Sequence, residues 1–114
     1  MNNLGFIKIL NTYHNKNINE EVPNVVNKLS KKTLNHLVIW AATAGKLFVL
    51  KYLRDNNVSM LNPYALEMAC DNGHLNVVQY LHDCGAEHQN NAYLKQCAEF
   101  NERFNVVEYL ESIT

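Results

Sequence analysis

Six cysteine and histidine side chains between residues 70 and 97 of this 114-residue sequence are of the types that bind metals or attack carbonyls: Cys70, His74, His82, Cys84, His88 and Cys97. A structural zinc site takes four such ligands, often in closely spaced pairs such as Cys-x-x-Cys. No such pair occurs. The nearest ligand-type spacing, Cys70 with His74, spans one helical turn with Gly73 breaking the helix between them. Cys70 and Cys97 stand where related segments of the chain have alanine, so they read as small, buried core thiols. A Cys and His nucleophilic pair needs donors for an oxyanion, and no local signature of such a site accompanies these residues. Gly5, Gly45, Gly73 and Gly85 form no phosphate-cradling loop. The sequence thus predicts no catalytic residues, no metal and no cofactor.

Composition narrows the function classes further. Ten Lys and Arg against eleven Asp and Glu give a net charge of −1, without the basic excess typical of nucleic-acid or anionic-membrane binding. The longest apolar run, Leu37 to Ala42, is far below the roughly 18–20 residues that span a bilayer. The N-terminus, Met1-Asn2-Asn3-Leu4-Gly5-Phe6-Ile7, lacks the basic and small-residue features of a signal peptide. Three cysteines, an odd number, fit reduced thiols in a cytoplasmic setting. Asparagine is abundant, 18 residues, but it lies between periodic apolar stretches and reads as coding bias rather than low complexity. Lys28, Lys31 and Lys32 are too few for a nucleic-acid stripe and read as the solvated C-terminal end of a helix, where cations complement the dipole.

The elements that hold these residues come from an internal repeat. Ala41 to Leu53 aligns with Ala69 to Leu81 at an offset of 28 residues. A third copy follows. Its second half, Phe104 to Leu110, matches Leu75 to Leu81 at an offset of 29, whereas Leu94, Cys97 and Ala98 fit Leu66, Ala69 and Cys70 at 28. The difference reads as an insertion in the turn, with Glu99 to Arg103 replacing Asp71 to His74. Each copy predicts two helices. Val38, Ala41 and Ala42 mark one face of the first, and Leu47, Leu50 and Leu53 keep the 3.6 period in the second. Gly45 and Gly73 stand where the first helix must end, because glycine adopts positive φ without strain. Asn57 and Gly85 end the second, and Pro63 opens the next. Residues 35–62, 63–91 and 92–114 form three units. Residues 1–34 supply a degenerate leading helix pair, with Leu4, Ile7 and Leu10 in one helix and Val25, Val26 and Leu29 in the other. In the last unit Val106, Val107, Tyr109 and Leu110 keep the apolar pattern of an internal copy, which fits a fragment of a longer array or an end used for docking.

Gly73-His74-Leu75-Asn76-Val77-Val78-Gln79-Tyr80-Leu81, followed four residues later by Gly85-Ala86, resembles the ankyrin repeat. The match is closest over residues 69–86 and weaker over 98–112, where the glycine is replaced. The usual Thr-Pro-Leu-His opening is absent, with His36 to Ile39 and Tyr64 to Glu67 in its place. That departure, the short period and the Asn richness are similar to the divergent arrays of amoebal giant viruses of the mimivirus type. The resemblance implies an all-α, ankyrin-type helical repeat solenoid that is not an enzyme and binds another protein on its concave face. It implies that His74 braces its turn against the next unit. It also carries an alternative, an adaptor recruiting substrates to a host ubiquitin ligase with residues 1–34 as the docking segment. A third reading, a thiol-dependent enzyme, is the least supported by the repeat.

Stacking follows from physics as well, because no helix pair here buries its apolar face alone. First helices and turns then line the concave side, so the expected partner-binding residues are Trp40, Thr43, Ala44, Met68, Asp71, Asn72, Gln96, Phe100 and Asn101. Trp40, Met68 and Gln96 are read as sharing one position. Phe100, the only bulky apolar side chain in a turn, is either a binding anchor or a plug that covers the missing glycine. Tyr52, Tyr80 and Tyr109 recur in the second helices and read as packing residues with solvated hydroxyls.

Overall fold

The computed structural model describes residues 29–88 and 90–113. Among these, six helices and no strand occur: α1 (Lys31–Ala44), α2 (Leu47–Asp55), α3 (Pro63–Asp71), α4 (Leu75–Asp83), α5 (Asn91–Phe100) and α6 (Phe104–Ser112). The first helices α1, α3 and α5 pack in one layer, and the second helices α2, α4 and α6 in another. The expected leading pair falls almost wholly on residues 1–28, outside the described residues.

Local signals place the helix ends. Asn62 precedes Pro63 and its side-chain oxygen accepts the amides of Tyr64 and Ala65 at 2.9 and 3.3 Å, while Asn90 caps α5 through Tyr93. Gly45 and Gly73, both at φ 71°, end the first helices as expected. In α1 the start differs. Ser30 caps it through Thr33, so the helix begins at Lys31, ahead of residue 35, and is a full turn longer than α3. Lys31 and Lys32 therefore sit at a helix N-terminus, not a C-terminus. Both are exposed, where the dipole penalty is small.

The core is one strip of leucine, valine and alanine running between the layers. Leu37, Leu50, Leu53, Val77, Leu81 and Val106 are all fully buried. At roughly 25 cal/mol for each Å² of apolar surface removed from water, this strip is the main source of stability.

Backbone hydrogen bonds fix the register of the third copy. The amides of Lys46, His74 and Arg103 donate to the carbonyls of Ala41, Ala69 and Ala98, so these three buried alanines are equivalent and the second offset is 29 within the helix. The turn keeps its length. The extra residue lies in α5, which has 10 residues against 9 in α3. The sequence alignment misplaced it because Cys97 and Ala98 are both small and neighbouring, and either can match a small position.

This shift changes the outer face of the last described unit. Leu66 and Cys70, buried in the middle unit, become Lys95 and the exposed Glu99. Lys95 pairs with Glu111 at 3.0 Å and with Glu99 at 3.9 Å. Val106, Val107 and Leu110 spend their apolar pattern inward, being 0%, 9% and 4% exposed. The unit thus presents charge where inner units present hydrocarbon.

Candidate functional site

With the register fixed, equivalent positions on the first helices form rows across the stack. Trp40 and Met68 are joined by Cys97, while Gln96 falls in with Ile39 and Glu67, which corrects the expected grouping. Thr43, Asp71 and Phe100 form the next row, and His36, Tyr64 and Tyr93 another. Trp40, Thr43, Met68, Asp71 and Asn72 are half-buried, whereas Ala44, Gln96, Phe100 and Asn101 are exposed.

Phe100 is 88% exposed, more than any other large apolar residue described. It does not plug the turn. The turn closes instead with Glu102 in the left-handed conformation, φ 58°, where the other copies have glycine. Asn72 and Asn101 each donate from the side-chain amide to a helix carbonyl, Met68 and Cys97 respectively, at 2.8 Å. Their side-chain amides thus finish the two helices. Thr43 donates its hydroxyl to the Ile39 carbonyl at 2.7 Å.

The middle of the face is acidic. Burial, and then the neighbouring Glu67, raise the Asp71 carboxyl above its ordinary range, opposed by a hydrogen bond from Cys97. Its Oδ1 is buried without a hydrogen-bond partner. Tyr93 donates its hydroxyl to Glu67 Oε1 at 3.2 Å. Cys97, and after it Glu67, push that hydroxyl up to about 12.

The cysteines do not share one environment. Cys70 is fully buried, and its thiol is pushed up to about 12, chiefly by desolvation. That is the reverse of what a thiolate nucleophile requires. Cys84 and Cys97 are only half-buried, contrary to the expected core position of Cys97. Cys97 moves outward because it occupies the row of Trp40 and Met68 rather than that of Ala69. Among the described residues, no three His, Cys, Asp or Glu side chains are grouped to hold a metal ion. No described helix is long and apolar enough to cross a membrane.

The second helices interlock. Tyr80 lies beneath the Arg54 guanidinium and Lys51 ammonium of the preceding unit, 5.8 and 6.0 Å from its centroid. Tyr109 sets its hydroxyl 3.0 Å from His82 Nδ1, with the rings edge to face. These tyrosines bind unit to unit, and the Tyr109 hydroxyl is engaged rather than simply solvated.

The architecture is an all-α solenoid of stacked helix pairs, each joined by a tight left-handed turn. Residues 38–82 match the family model of ankyrin repeats (many copies), and the six described helices without a strand fit the all-α helical repeat fold of that match. Comparison with curated proteins gave no match, and comparison with solved structures gave none. Ankyrin repeats generally mediate protein–protein interaction.

Proposed function

We propose that this chain is a non-enzymatic scaffold that holds a partner protein on the face built from its first helices and turns. The observation that carries this reading is Phe100, which leaves 88% of its surface in water while no part of the fold uses it. Tyr64 and Tyr93, 66% and 42% exposed, extend the same face, and exposed aromatics dominate interface energetics. Trp40, Thr43, Ala44, Met68, Asp71, Asn72, Gln96 and Asn101 complete the proposed contact set. The Asn-rich composition and 28-residue spacing, similar to giant-virus arrays, support action in the cytoplasm, a host's if the array is viral.

The test is quantitative capture from cell extract on immobilised wild type and Phe100→Ala, followed by affinity measurement on each retained protein. Phe100→Ala is expected to weaken the partner by about 2 kcal/mol while leaving the melting temperature unchanged. Intact affinity overturns the anchor. The adaptor alternative is tested in the same assay by deleting residues 1–28 rather than 1–34, because Lys31 to Leu34 belong to α1. Loss of ligase components on deletion supports it.

A further inference from the structure

A pocket of about 220 Å³ opens between α3 and the segment leading into α5, lined by Pro63, Tyr64, Glu67 and His88. Its acidic wall is the Glu67 side chain, which is 19% exposed. Oε1 accepts the Tyr93 hydroxyl at 3.2 Å, and Oε2 lies 3.6 Å from His88 Nε2. His88 Nδ1 lies 3.0 Å from the Asn90 amide nitrogen and 3.2 Å from the Asn90 carbonyl oxygen, which holds the ring with Nε2 toward the carboxylate. The His88 ring stacks on Tyr93 with centroids 6.0 Å apart and an interplanar angle of 21°, so the wall is braced. Among the described residues, no Lys or Arg forms an ion pair with Glu67 or with Asp71, one turn further along α3.

An acidic floor between an exposed tyrosine, a proline and a braced imidazole is complementary to a flat cation. A guanidinium stacks on an aromatic face and donates through its edge to a carboxylate, which a compact, strongly hydrated ammonium does less well. We infer that this pocket is the socket for an arginine side chain of the partner protein. The inference rests on the scaffold reading and names the chemistry that the middle unit takes.

The probe is a blocked tripeptide, acetyl-Gly-Arg-Gly-amide, titrated into the ¹⁵N-labelled full chain and compared with its neutral citrulline counterpart. Saturating amide shifts are expected at Tyr64, Glu67 and His88, with citrulline at least about fivefold weaker. Glu67→Gln should lose affinity by a similar factor. Tyr64→Ala should do so too, at a side chain 66% exposed and so not required for folding. Equal shifts from both peptides, shifts centred elsewhere, or wild-type affinity in both variants overturn the socket. The titration needs no partner protein, so its failure removes the socket alone, whereas partner affinity indifferent to Phe100→Ala removes the scaffold face alone.

Discussion

The Nε2 atom of His74 lies 3.0 Å from the carbonyl oxygen of Thr43, 31 residues earlier, and so ties the start of α4 to the end of α1. The bracing runs backward, onto the preceding unit, not forward as the family resemblance implied. Arg103 repeats the contact, donating from Nε to the Asp71 carbonyl at 3.2 Å. Each of these side chains lies over the glycine of the turn before it. A Cβ on Gly45 would meet His74 Nδ1 at 2.6 Å, and one on Gly73 would meet Arg103 Cδ at 2.7 Å. The glycines are therefore required twice, for positive φ and for cover by the next unit.

His74→Ala should lower stability by about 1 kcal/mol, the typical net value of one hydrogen bond, and His74→Arg should recover most of it by the route Arg103 takes. Urea unfolding followed by circular dichroism reads both. A midpoint unchanged in His74→Ala would show that the contact contributes nothing.

Glu102 holds φ 58°, a conformation that costs a residue with a Cβ roughly 1–2 kcal/mol, partly offset by glycine's greater chain entropy when unfolded. Glu102→Gly should therefore raise stability by up to about 1 kcal/mol. Gly45→Ala, with His74 above it, should lower stability by at least about 1 kcal/mol. If both substitutions shift the melting temperature in the same direction, the strain argument fails.

Leu81 is fully buried, and truncating a buried leucine costs about 2–5 kcal/mol through lost transfer energy and the cavity left behind. Leu81→Ala is expected to remove a large share of the stability of so small a solenoid. Urea curves that superimpose on wild type would contradict the register described above.

Native protein treated with a thiol-reactive disulfide near pH 8 should titrate two thiols, Cys84 and Cys97, both half-buried. Cys70 should react only after denaturant is added, because it is buried and its thiol is pushed up to about 12. Three equivalents released at one rate from folded protein would refute this assignment.

The helix pairs, their glycine breaks and the alternation of first and second helices were legible in the sequence. These features are local: caps, φ preferences and the 3.6 period act within about one turn of chain. Gly45, Gly73 and Pro63 marked their helix ends for that reason. What tertiary structure alone decided is which side of each helix meets a neighbour, set by residues about 30 positions away. The register of α5 is the clearest case, because Cys97 and Ala98 satisfy either alignment until the Arg103 amide bonds to Ala98. From that one-residue choice follow the outward move of Cys97, the charged face of Lys95, Glu99 and Glu111, and the place of Gln96 beside Glu67. Phe100 could be read two ways from sequence because its fate turned on whether Glu102 closes the turn without it. The pocket at Glu67 left no linear signal, since its walls come from two segments that meet only when the units stack.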